Sequence, residues 1–195
     1  MRPHVVLLLL LAPSAHATEE VGLRVLFGVG GALSAEDLER PGNPAITPPE
    51  EELQSEIGLE LRLDTEISPD LWVGARFAWI SAMGAEGGEL SAWEGGMAAR
   101  LLFPQESLGL YAELGVGLTA LEVDDVLERT ETFDGVGWHL VLGGGLRVPM
   151  TDTWQATLGM VWHRQSVDLR AQVDPAPALV GAVINRLLLS AGVAF

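Results

Sequence analysis

Over residues 56–67 the chain alternates between two kinds of side chain. Ile57, Leu59, Leu61, Leu63 and Thr65 fall on one side of an extended backbone, and Glu56, Gly58, Glu60, Arg62, Asp64 and Glu66 on the other. Successive side chains of a strand point to opposite faces, so this spacing predicts a strand with one apolar and one charged face. The same period recurs and predicts about eight strands, over residues 21–33, 55–67, 71–80, 92–103, 109–121, 135–148, 154–166 and 184–195. Most exceed the roughly 5–6 residues of an ordinary soluble strand and suit tilted membrane strands, which need about 9–11. The connections alternate in length. Residues 34–54, 81–91, 122–134 and 167–183 are long; 68–70, 104–108 and 149–153 are short and carry Pro69, Pro104 and Pro149. Proline fixes φ and lacks the amide hydrogen a continuing ladder needs. The pattern predicts an all-β, eight-stranded, antiparallel up-and-down barrel.

Alternation does not say which face is outside, because a soluble barrel has the same period with its faces exchanged. Three features put the apolar face outward. Most strand glycines, among them Gly22, Gly28, Gly30, Gly58, Gly74, Gly96, Gly117, Gly159 and Gly192, share the charged face, where they leave room for long side chains crossing a narrow lumen. Trp79, Trp93, Trp138 and Trp162 share the apolar face near the long loops, and Phe103, Trp154 and Phe195 share it near the short turns, as two interfacial aromatic girdles would. A charge facing lipid at mid-depth costs about 2–4 kcal/mol, so the charged face must meet water or partners.

Composition narrows the picture further. The 195 residues carry a net charge of −16, no cysteine and 48% hydrophobic residues. Without cysteine there is no disulfide framework and no thiol chemistry, and the acidic balance excludes a nucleic-acid partner. Every basic side chain other than histidine is arginine. Arg2, an apolar run over 5–12 and the small-x-small triplet Ala15-His16-Ala17 read as a cleavable export signal over 1–17, too short to span a bilayer as a helix. The barrel domain is then 18–195.

The last strand ends on Phe195, with Leu187, Leu189, Ala191 and Val193 alternating behind it. This resembles the closing-strand signal of outer-membrane barrels. With the export signal and the loop asymmetry, the chain resembles the small OmpA-like, OmpX-like and OmpW-like barrels of Gram-negative bacteria. The resemblance implies a monomer in the cell outer membrane, surrounded by lipid and lipopolysaccharide and inserted by the barrel-assembly machinery.

Candidate chemistry lies on the inner face. Approximate hairpin registers place Glu60 opposite Arg76 with Arg62 nearby, Glu113 beside Arg100, Arg147 near Tyr111 and Glu113, and Arg24 close to Asp64. Such a set reads as an ion-pair network that plugs the lumen, or as a gate whose pairs exchange. His139 and His163 point inward and are expected opposite each other near the extracellular mouth, with Glu94 at similar height. They read as lumen histidines bonded to neighbours, or as metal ligands or an acid sensor. Acidic residues crowd the long loops, where solvation is the plain explanation. His163 and Ser166 fall on opposite faces, and no nucleophile–base–orienter set emerges. The expectation is a non-enzymatic structural or surface-interaction barrel with a largely closed polar lumen and no cofactor. A narrow pore is the main alternative; an enzyme or a soluble ligand-binding barrel ranks below it.

Overall fold

The computed structural model describes residues 18–37, 50–84, 88–103, 108–124, 133–173 and 176–195. The export signal, most of the expected first long connection (38–49) and Pro104 lie outside these residues. Eight strands run in chain order: β1 (Glu19–Asp37), β2 (Glu50–Ser68), β3 (Leu71–Gly84), β4 (Glu89–Phe103), β5 (Gly109–Asp124), β6 (Phe133–Pro149), β7 (Gln155–Val173) and β8 (Ala176–Ala194). Each pairs antiparallel with its neighbours, and β1 with β8 closes the barrel. Val21 and Phe195 exchange two backbone hydrogen bonds at that closure, 2.8 and 3.0 Å. At the turn between β6 and β7, the Thr151 hydroxyl accepts the amides of Thr153 and Trp154 at 3.2 and 3.0 Å, a side-chain stand-in for a backbone turn.

The apolar face is the outer one. Leu59, Leu61, Leu63, Leu114, Leu118, Leu158 and Met160 are exposed on it, and the arginines of the opposite face are buried. All seven aromatic residues named above also lie outward; Trp79 and Trp93 are directly paired, and Trp154 stacks on Phe195 with ring centroids 4.9 Å apart. From Trp154, just before β7, to Trp162 on it is about 26 Å of strand, or about 20 Å of rise at the usual barrel tilt, close to the roughly 25 Å apolar band of outer-membrane barrels.

The strands are longer at the loop end than the alternation predicts, and the reason is an exchange of faces. On β7, Met160 and Trp162 face out while His163 faces in; beyond them Ser166, Asp168 and Arg170 face out and Val167 and Leu169 are buried inside. Likewise β5 turns from outward Leu118 to outward Glu122, with Leu121 and Val123 inside, and β4 places Glu89 and Ser91 outside over buried Leu90 and Ala92. Above the outer tryptophans the wall is therefore polar outside and apolar inside. This collar is built like a soluble barrel. Parts of the expected loops 81–91, 122–134 and 167–183 are its strands, and Glu122, Asp124 and Asp134 are strand residues on its outer surface.

One glycine changes sides. The β1–β8 register shifts between Gly28 and Gly30. A Cβ on Gly31 would lie 3.0 Å from the Arg186 Cβ, whereas one on Gly30 would meet nothing within 4 Å. A bulge inserts a residue and re-aims the side chains beyond it, so Gly30 faces out and Leu33 returns to the interior. Elsewhere the inward glycines make room: a Cβ on Gly192 would sit 2.8 Å from the Arg24 side chain.

Candidate functional site: the barrel interior

The interior has two storeys. Below the outer tryptophans, among the described residues, six buried acids (Glu20, Glu56, Glu60, Asp64, Glu94 and Glu113) face six buried arginines (Arg24, Arg62, Arg76, Arg100, Arg147 and Arg186). The count is balanced, and the geometry orders it into an alternating chain. Arg147 donates to Glu20, which also accepts from Arg100 at 2.8 Å. Arg100 reaches Asp64 at 2.5 Å, and Asp64 meets Arg62 at 3.3 Å. Glu113 takes Arg62 at 2.5 Å and Arg24 at 2.9 Å. Glu60 joins Arg24 at 3.4 Å to Arg76 at 2.7 Å, and Arg76 continues to Glu94 at 2.7 Å. Gln165 donates to Glu94 at 2.6 Å and accepts from Arg186, which ends the chain on Glu56 at 3.0 Å. Tyr111 lies under the Arg24 and Arg100 guanidiniums, 5.2 and 5.7 Å from its ring centre.

Alternation is what makes this burial tolerable. An isolated charge withdrawn from water is costly, and its attraction to a partner repays the loss only with good geometry and further hydrogen bonds. Glu20, Asp64, Glu113 and Glu60 each lie between two arginines.

Sequence reasoning names eight of these residues, and all eight stand on the inner wall. Several pairings differ from the hairpin expectation. Arg24 and Asp64 are not partners: Arg24 bonds Glu113 and Glu60 instead. Arg100 stands opposite Glu113 on the wall yet bonds Glu20 and Asp64. Arg147 bonds Glu20 and Gln155 rather than Glu113. Hairpin register names wall neighbours, whereas long arginines reach across the lumen. Glu20, Glu56, Glu94, Gln165 and Arg186 join the chain beyond those eight, Glu94 having been expected only beside the histidines. Their inward parity was the available signal; Glu20 fell just outside the expected first strand.

The histidines are not at the mouth. His139 and His163 are buried mid-barrel, ring centroids 5.6 Å apart, beneath apolar residues. His163 Nε2 lies 3.0 Å from Glu94, and His139 Nε2 is 3.4 Å from Arg76. Among the described residues no group of three or more histidines and acids is arranged to hold a metal ion.

The upper storey is apolar. Leu33, Leu53, Ala82, Leu90, Ala92, Leu121, Val123, Phe133, Val167, Leu169, Val180, Ala182 and Ile184 form one buried cluster, each at most 5% exposed. It fills the collar and caps the ionic chain on the loop side. Native apolar cores pack at crystal-like density, and these side chains bury one another inside the collar.

The outer membrane protein beta-barrel domain family matches residues 5–164. No curated protein sequence matches the chain. Among solved structures, the outer-membrane protein AlkL in lipid bilayers is similar at TM-score 0.60 and 14% identity, over 94% of this chain and 92% of that one. Neisserial surface protein A is similar at 0.53 and 14% identity, over 92% and 97%. The Escherichia coli outer-membrane protease OmpT is similar at 0.52 and 8% identity, over 91% and 96%. At these identities the likeness concerns the fold alone, and a protease among the neighbours means that the fold does not decide catalysis. The family match over most of the sequence, on a closed barrel with an apolar outside and a charged inside, assigns the chain to the outer-membrane β-barrel family and to the bacterial outer membrane.

Proposed function

We propose that this protein is a non-enzymatic structural or surface-interaction barrel whose lumen does not conduct. The observation that carries the reading is the thirteen-residue apolar plug above the ionic chain. An ion entering from outside would have to shed its water among leucines, valines and a phenylalanine, at a cost of several kcal/mol. The surface role rests on the collar, whose outward Glu52, Glu89, Glu122, Asp124, Asp134 and Asp168 stand above the apolar belt. His163 and Ser166 face opposite sides of β7, which supports the non-enzymatic reading. Lipid and lipopolysaccharide around the belt, delivery by the barrel-assembly machinery and a monomeric state complete the proposal.

In planar bilayers the refolded barrel is expected to give no stable single-channel steps. Reproducible steps would sink the closed lumen and favour a narrow pore; loss or change of those steps in Arg76→Ala would then mark the ion pairs as the gate. The export signal is proposed to be cleaved after Ala17, and the intact mass of protein purified from outer membranes should be that of a chain beginning at Thr18. A mass retaining residues 1–17 would refute it.

A further inference from the structure

Six arginines face inward. Two others, Arg164 and Arg170, are exposed on the outer face of β7. Among the described residues they are the only outward cations, on a wall whose outward charges are otherwise acidic. Their settings differ. Arg170 stands opposite Asp134 on β6 and two residues from Asp168, so acids counter its charge. Arg164 stands opposite Leu140 on β6 and Asn185 on β8. On its own face of β7 its neighbours are Trp162 on one side and Ser166 on the other. None of these positions is acidic, and Asp168 is about 13 Å further along the strand.

Arg164 lies at the height of a lipid headgroup. Trp162 belongs to the girdle near the long loops, and such girdles sit at headgroup level. Arg164 is the next outward residue toward the long-loop end, which is extracellular in outer-membrane barrels. A lipid-facing arginine costs about 2–4 kcal/mol at mid-depth and about 0–1 near the interface, where an anion can meet it. Its fork matches two phosphate oxygens. The Asn185 amide and the Ser166 hydroxyl are further donors within roughly 5–7 Å of backbone spacing. Toward the membrane the same face is apolar, with Leu142 and Leu187 flanking Trp162 across the two ladders. A phosphate above and acyl chains below is the chemistry of lipid A in the outer leaflet. Outward Glu89, Glu122 and Asp134 repel a phosphate on the neighbouring strands.

We infer that the β6–β7–β8 face seats one lipid A molecule, with a sugar phosphate on Arg164, Asn185 and Ser166 and acyl chains over Leu142, Trp162 and Leu187. The inference rests on the reading that lipopolysaccharide surrounds the belt, and it names the place and the group by which that lipid is held. It does not depend on whether the lumen conducts.

The test titrates the full barrel, released from detergent micelles in a native mass spectrometer, with purified lipid A. One molecule of bisphosphorylated lipid A is expected to bind about tenfold more tightly than lipid A stripped of its phosphates, which keeps the acyl chains. Arg164→Gln should abolish that preference and leave the binding of the stripped lipid unchanged. Arg164→Lys, which keeps the charge and loses the fork, should fall between. Arg170→Gln removes the same charge from the same strand and should change the preference less than twofold. Heat-modifiable migration of each variant checks that it is folded. Equal binding of the two lipids would overturn the phosphate seat alone; no binding of either would also overturn the lipopolysaccharide reading beneath it. Equal losses in Arg164→Gln and Arg170→Gln would mean diffuse attraction and no seat. Displacement of lipid A by millimolar inorganic phosphate at constant ionic strength would mean an anion site that does not need the lipid, and would likewise overturn the inference.

Discussion

Glu113→Gln is expected to lower the unfolding free energy by about 3–5 kcal/mol, the usual loss when one partner of a buried ion pair is removed. Glu113 is 2% exposed at its side chain and accepts from both Arg24 and Arg62. Glutamine keeps the shape but leaves two guanidiniums with one acid each, Glu60 and Asp64. The interior then holds six arginines against five acids. Urea unfolding in bilayers would measure the loss, with Glu122→Gln on the outer wall as a control expected within about 0.5 kcal/mol. Adding Arg24→Met to Glu113→Gln should restore part of the stability, because the surplus cation goes with it. A loss below about 1 kcal/mol for Glu113→Gln would mean that water, and not the paired acid, solvates these arginines.

Phe133→Ala is expected to cost about 3–5 kcal/mol by the cavity it leaves, and the damage should be local. Phe133 belongs to the collar cluster with Leu121, Val123, Val167 and Leu169. The ionic chain lies in a separate storey of the same barrel. Amide hydrogen exchange should therefore accelerate at the loop ends of β5, β6 and β7 and remain slow around Glu113 and Arg76, since stability is not uniform along such a structure. Uniform acceleration along the strands would show that the two storeys unfold as one.

Those two storeys also explain what could be read from the chain. The membrane part was legible because its period is 2 and its apolar face is constant: residues 56–67 announce β2 with each side chain on its observed face. The collar was not, though its period is also 2. On β7 the apolar residues move from even positions at Met160 and Trp162 to odd positions at Val167 and Leu169. A search for one constant apolar face ends there and starts a loop, because a shift of one residue exchanges every face. The bulge at Gly28 and Gly30 hid the same event on β1, since glycine carries no side chain to report the change of parity. The identity of the lumen residues followed from parity, but their pairing did not. Arg24 and Glu113 are 89 positions apart and meet across the barrel axis, a distance no hairpin register conveys.

The absence of native cysteine allows the exchange of faces, and with it the seal, to be tested by single cysteines on β7 of the intact cell. Asp168 is exposed on the collar and Leu169 is 0% exposed in the plug. A membrane-impermeant maleimide added outside the cell should label Asp168→Cys within the time that labels a denatured control, and leave Leu169→Cys unlabelled until the barrel is unfolded. Labelling of folded Leu169→Cys from outside would mean that the lumen is open to the surface. Protection of Asp168→Cys would mean that this stretch lies in lipid, and either result would contradict a dry plug inside a water-exposed collar.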